Sequence, residues 1–451
     1  MKVCFVSNFE KTWIFLEVAK VLKDRFDIDS VWIVVNQSIK DKMVKRGVVE
    51  EDILFLPKNV KQHEQTVYKD LKFNELVYAD RYLRYDMEAG QAYLEKVRDY
   101  AYFFLKKHKA KLVLGELTWA HERALYRLLL ASPELSCRYL KPHVVRIPNG
   151  RFVFFQSEIE DLPYVDSQNL QLANYELVKL AKPLYYSHNN KKVAESQSLV
   201  SRLKRLKRFI TGENIDKYDP TLLYHPKRRF KIGYTEEKNR LIYRFVKRTP
   251  ASFLKGKSYL FYPLHKQPEA SIDVLGQYYE DQYLNIVNIW RLLGPDMYLA
   301  VKEHPNAIGD RSEEFFKKVS ALSRVVVVHE MEESWNIIEN ATGVFSVSST
   351  ASYEAALMGV ESFTFSPIFF NKLKGCYHVT LNDLSTCRNF EDLLTKLRCR
   401  NQNQMDQDQF SRWLFYNSFQ GKWSPTEQGV MDSSNIMKLA NAIISILIPS
   451  E

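Results

Sequence analysis

The sequence predicts an α/β protein built from two doubly wound units that face each other across a cleft. Three observations carry this expectation. The chain has 451 residues, more than one hydrophobic core usually serves. Short apolar β-rich runs alternate with helical patterns, as parallel sheets with crossover helices require. The alternation stops after Gly150 and restarts at Ser258.

The first unit opens with KVCFVSN (Lys2 to Asn8) as a strand, and FLEVAKVLKDRF follows as a helix. VWIVVN (Val31 to Asn36) is a buried strand, and Phe73 to His108 carries helical periodicity. KLVL (Lys111 to Leu114) is a strand that stops at Gly115 and Glu116. AHERALYRLLLAS is the next helix, and HVVRIPNGR a strand and turn. Residues 151–255 are charged and less regular.

In the second unit, Ser258–Leu264, Met297–Pro305, VVVVHE, GVFSVSS and VESFTFS are strands. Asp281–Leu293, Glu313–Leu322, SWNIIENA and TASYEAALMG are the helices between them. Asn401–Gln409 is a polar surface loop. SNIMKLANAIISILI is an amphipathic helix whose apolar stripe packs rather than inserts. The expected segments are 1–185, 186–255, 256–425 and 426–451.

Composition narrows the class. The five cysteines, Cys4, Cys137, Cys376, Cys387 and Cys399, are scattered and form no C-x-x-C. That argues against a disulfide framework and a cysteine zinc site. The N-terminus lacks a signal-type apolar region, and no stretch approaches the ~20 apolar residues that span a bilayer. A cytoplasmic protein is expected. The formal charge is +10, with 17 Lys/Arg against 6 Asp/Glu between Lys191 and Arg248. Its densest part is SRLKRLKRF (Ser201 to Phe209). Basic residues interleaved with Leu and Phe suit an anionic membrane face or an acidic glycan, although a solvated helix reads the same way. The expected contact is the inner face of the cytoplasmic membrane, with no nucleic-acid partner.

The chemistry gathers at strand exits of the second unit, where open α/β sheets bind ligands. At VSSTASYEAALMG, the strand ends in Ser348, Ser349 and Thr350 as a helix begins, with Glu354 further along. Free N–H groups and the dipole of such a helix attract phosphate. Ser349 or Thr350 would equally serve as an N-cap. The exit Lys302–Glu303–His304–Pro305 presents a histidine suited to bonding a phosphate oxygen and protonating a leaving group. Glu330, after VVVV, is a carboxylate suited to ribose hydroxyls. Lys266 and Ser271, after FYPL, complete the phosphate side.

KEHPNAIGDR (Lys302 to Arg311) and SSTASYEAALMG (Ser348 to Gly359) resemble the bacterial capsule polysaccharide biosynthesis family, which includes Kdo transferases. They are more loosely similar to bacterial sialyltransferases with His-Pro and Ser-Ser/Thr motifs. The resemblance spans Ser258 to Phe370. It implies a GT-B fold and a CMP-linked donor, whose nucleotide is held by His304, Pro305 and the serines, with Glu330 on the ribose. The loop KQPEAS departs from the acidic pair common in that family.

The first unit is then expected to hold the acceptor and the base. Glu116 follows a strand directly and is the preferred base, with His121 and Glu122 in reserve, since deprotonation needs a carboxylate or imidazole within reach. Arg146 and Arg151, around Pro-Asn-Gly, could hold a sugar carboxylate bidentately. No HExxH, strand-end D-x-D, Walker loop or G-x-G-x-x-G occurs, so neither metal nor cofactor is expected. The resulting expectation is a metal-independent glycosyltransferase acting on a nucleotide sugar and a glycan or glycolipid acceptor. The alternatives are a UDP- or GDP-sugar transferase, a UDP-sugar 2-epimerase, and a non-enzymatic glycan- or nucleic-acid-binding protein.

Overall fold

A computed structural model describes residues 1–164, 175–180, 200–201, 216–223 and 225–448. The chain divides into two compact units, each built on its own sheet.

The first sheet holds β1 (Lys2–Val6), β2 (Asp29–Val34), β3 (Ile53–Phe55), β4 (Ala110–Leu114), β5 (Arg138–Val144) and β6 (Arg151–Phe155). Strands β3-β2-β1-β4-β5 lie in that order and run parallel. β6 returns antiparallel to β5, and the short strand Phe419–Gln420 adds antiparallel to β6. Side chains of a strand alternate between faces. Val3 and Phe5 join one core with Trp32 and Val34, while Cys4 and Val6 join the other with Val31 and Ile33. Burial on both faces explains why these strands read as continuous apolar runs. Helix Lys11–Phe26 covers the first face; helices Met87–His108 and Ala120–Ala131 cover the second.

The second sheet holds β7 (Tyr259–Pro263), β8 (Tyr298–Lys302), β9 (Val325–Val328), β10 (Gly343–Ser346), β11 (Ser362–Thr364) and β12 (Cys376–His378). Its order is β12-β11-β10-β7-β8-β9, all parallel. Both sheets thus follow the doubly wound pattern, with the strand order reversing beside the first strand. The reversal lies between β1 and β4 in one unit and between β7 and β10 in the other. The expected α/β class with two doubly wound units stands.

The chain from Arg412 onward folds with the first unit. Helix Ser433–Leu447 buries Ile436, Leu439, Ile443 and Ile446 in the core beneath helix Lys11–Phe26. Asn435 fastens its start, accepting from Lys422 N–H at 2.7 Å and donating to Lys422 and Val430 carbonyls. Residues 412–425 therefore leave the 256–425 segment in which periodicity had put them, and 426–451 is no separate element. The apolar face of that helix finds its partner in Lys11–Phe26, a separation that no local pattern encodes. A helix, Gln407–Tyr416, also begins within the expected polar loop.

The densest basic stretch, Arg202–Phe209, and the expected boundary at 185 lie outside the described residues. Among the described residues, no helix is long and apolar enough to cross a membrane.

Candidate functional site

In the second unit, the exits of β7, β8 and β10 interlock around their switch point. The Val347 N–H donates to His265 Nε2 at 3.1 Å, joining the β10 exit to the β7 exit. Ser348 Oγ donates to the Ser271 carbonyl at 2.6 Å, repeating that join. Gly276 allows the approach: a Cβ there would lie 2.3 Å from Val347 Cγ1. Arg311 ties in the β8 exit, donating to the His265 carbonyl and bridging Glu303 Oε1 at 2.5 Å.

Burial sets the protonation states. His265 is pushed down to about 3 by desolvation, then by Arg311 and His304. His304 is exposed, yet partial desolvation and the cations Lys302, Lys266 and Arg311 push it down to about 4. Its Nδ1 accepts the Asn306 N–H at 3.1 Å, so the neutral ring carries its proton on Nε2. This histidine is built to donate a hydrogen bond. A proton-donating imidazolium, the role expected from sequence, is not its resting state near neutral pH.

Lys302 is buried, is pushed down to about 8 by desolvation, and donates to Ser334 Oγ at 3.1 Å. Burial raises Glu303 to about 7 and Asp310 to about 6. Each keeps one buried carboxylate oxygen without a partner among the described residues, Oε2 and Oδ2 respectively. Lys266 is exposed and acts electrostatically on both His304 and Asp310.

Other expected residues hold structural contacts. Ser349 is the N-cap of helix Thr350–Leu357, its Oγ accepting from Ala351 N–H at 3.2 Å. Pro305 opens the short turn Pro305–Ala307. Glu354 is buried within its helix. Glu330 accepts from Arg248 at 3.1 Å and from Tyr243 Oη at 3.2 Å. The carboxylate expected on a ribose is thus already held by two side chains from the preceding segment.

In the first unit, Glu116 emerges at the β1/β4 switch point, half-buried. It pairs with Lys11 and lies 3.4 Å from Asn8 Nδ2. Glu122 is fully buried and accepts N–H bonds from Glu116, Thr118 and Trp119, plus Asn8 Nδ2 at 2.7 Å. Burial, then the Glu116 charge, raises it to about 7 against those bonds. It clamps the turn after β4, with both oxygens committed to those donors. His121 is buried, pushed down to about 3, and its Nε2 has no partner among the described residues. It too leaves the list of bases.

Arg151 is also spoken for. It donates to Ser418 Oγ at 2.8 Å and to the carbonyls of Phe415 and Ser418, and stacks on Phe415. Arg146 is exposed in the β5–β6 turn at φ 69°.

No family model matches this chain, and no curated protein matches it. Solved structures do. Thermosulfurimonas dismutans KpsC, described as a beta Kdo 2,7 transferase, is 14% identical over 77% of this chain and 89% of its own, with a TM-score of 0.33. UDP-GlcNAc 2-epimerase from Methanocaldococcus jannaschii, in complex with UDP-GlcNAc and UDP, is 14% identical over 99% of each chain, with a TM-score of 0.28. S. aureus MnaA, a co-structure with UDP, is 10% identical over 100% of this chain and 98% of its own, with a TM-score of 0.30.

Sequence reading assigned no role to Arg311, Asn8 or Lys11. Arg311 stood at the end of KEHPNAIGDR, eight positions past Glu303, within one loop's reach. Asn8 and Lys11 stood just beyond β1, the strand whose exit faces that of β4. Phe9 follows Asn8 at φ 41°, is 43% exposed, and meets Trp119 at 5.9 Å. Among the described residues, no group of three His, Cys, Asp or Glu side chains is placed to hold a metal ion.

Proposed function

We propose that this protein is a glycosyltransferase that moves an acidic 2-keto sugar, Kdo or a sialic-acid-like sugar, from a CMP-linked donor to a bacterial surface glycan. The observation that carries this reading is the convergence of His304, Lys266, Arg311 and the start of helix Thr350–Leu357 at the second switch point. Such a set suits one phosphate with its developing charge. The Nε2–H of His304 donates to a phosphate oxygen as the sugar–phosphate bond breaks. Lys266 and the helix start add positive potential. In the first unit, Glu116 accepts the proton of the attacking acceptor hydroxyl, with Lys11 and Asn8 holding its orientation. CMP leaves with both electrons of the broken bond, and the acceptor oxygen forms the new one. No added cofactor enters this scheme.

A donor screen reading free nucleotide tests it. CMP, and neither UMP nor GMP, is expected to raise the melting temperature. His304→Ala is expected to cut turnover about a hundredfold or more, the scale of losing a donor to developing charge. Stabilisation by UMP, with release of UDP from a UDP-sugar, would replace this reading with the UDP-sugar transferase or 2-epimerase.

A further inference from the structure

Phe9 stands where a glycine would suit the backbone better. It lies just past β1, in the turn that opens helix Lys11–Phe26. The Lys11 N–H donates to the Asn8 carbonyl at 3.0 Å, and the Thr12 N–H to that of Phe9 at 3.2 Å. At φ 41° Phe9 is left-handed, a conformation that glycine takes freely and that a Cβ makes costly. Asp27 and Lys109 share it, but each ends a helix, where it closes the last turn. Leu117 shares it at φ 52°, but its side chain is buried, and apolar burial offsets the strain. Phe9 has neither compensation, and its ring is 43% exposed. Strain of this kind gathers where ligands are held.

The surroundings of the ring define the ligand. Behind it stands Trp119, buried, 5.9 Å away and tilted by 51°. Trp119 is itself held by the Arg81 guanidinium at 5.0 Å and the Tyr82 ring at 6.1 Å. Phe9 thus leans on a fixed ring and leaves part of its own surface to solvent. Asn8 before it and Lys11 after it both meet the half-buried Glu116 carboxylate. A flat apolar surface therefore adjoins a carboxylate, an ammonium and a carboxamide. A pyranose matches this combination, because C–H groups cover one of its faces and hydroxyls line its rim. One ring is far smaller than the surface of about 800 Å² per partner that a stable protein interface buries.

We propose that Phe9 is the platform on which the terminal pyranose of the acceptor stacks, with Trp119 fixing the ring and a hydroxyl of that sugar turned toward Glu116. The inference rests on the reading of Glu116 as the base and adds the residue that seats a sugar before it.

Saturation-transfer NMR of the full chain with the methyl glycosides of Kdo, galactose and N-acetylglucosamine tests it. The wild type is expected to transfer saturation to the ring C–H protons of at least one. Phe9→Ala should weaken that binding about tenfold, the scale of one lost aromatic contact. Phe9→Tyr, which keeps the ring, should bind as the wild type does. Phe9→Gly should weaken binding as Phe9→Ala does without lowering the melting temperature, because glycine suits this conformation. No signal from the wild type, or equal binding by Phe9→Ala, overturns the proposal. So does a lowered melting temperature in Phe9→Gly, which would make the ring structural. So does a parallel loss of binding to CMP, UMP or GMP, which would give the ring to a nucleotide. Glycoside binding that depends on Phe9, in a protein that releases no nucleotide from any sugar donor, would end the transferase reading and leave the ring's contact with a glycan in place.

Discussion

Two buried imidazoles, His121 and His265, make acid a specific stress. Each is held neutral, with its pKa depressed to about 3, whereas an unfolded histidine takes its proton near 6.5. Between these values the unfolded chain binds more protons, so stability falls as pH falls from about 6.5 toward 3 and is full above that window. Each contributes a slope of up to about 1.4 kcal/mol per pH unit. His121→Leu, which also removes a buried nitrogen without a partner, should flatten the fall in melting temperature between neutral pH and pH 5. An unchanged slope would show that His121 is not buried as described. Glu116→Gln should lower turnover about a hundredfold to ten-thousandfold and leave CMP-induced stabilisation intact, because the nucleotide contacts proposed above belong to the other unit. If turnover persisted, the base would have to be sought elsewhere. At this scale, position along a strand was legible and partnership was not. Glu116 and His304 announce themselves by following apolar runs. The fate of Glu122 depends on three backbone N–H groups curling around it. Glu330 is claimed by Arg248, and Arg151 by Ser418, across long separations that periodicity does not register.

Strand exits depend on how closely neighbouring elements approach. Gly115 ends β4 where a Cβ would lie 2.0 Å from Tyr139 Oη and 2.8 Å from Glu122 Oε1. Gly115→Ala should therefore destabilise the first unit by about 1–3 kcal/mol, as overpacking does, and should disturb Glu116 next to it. Chemical denaturation would measure the first effect. Ser349→Ala removes the cap of helix Thr350–Leu357 and should cost about 1 kcal/mol. If turnover falls while CMP-free stability is unchanged, the hydroxyl serves the ligand and not the helix. Among elements, the central strands were the legible ones. β1, β7 and β8 are buried on both faces and long enough to stand out as apolar runs. The edge strands β3 and β12 have three residues each, too few for a pattern. Phe419–Gln420 exists only because β6 offers it an edge.

The first unit joins segments that lie far apart along the chain. Leu439 is fully buried in the core shared by helices Lys11–Phe26 and Ser433–Leu447. Leu439→Ala should cost about 2–5 kcal/mol. Calorimetry should show the loss in one of two transitions, with the transition of the second unit unmoved. A shift of both together would mean that the units unfold as one. The same closure sets an order of events during synthesis. Domains ordinarily fold in the order in which they leave the ribosome. Here the second unit can complete itself while the first, although translated earlier, still lacks its closing helix. The apolar side of Lys11–Phe26 stays uncovered until Ser433–Leu447 has been translated, after the whole of the second unit.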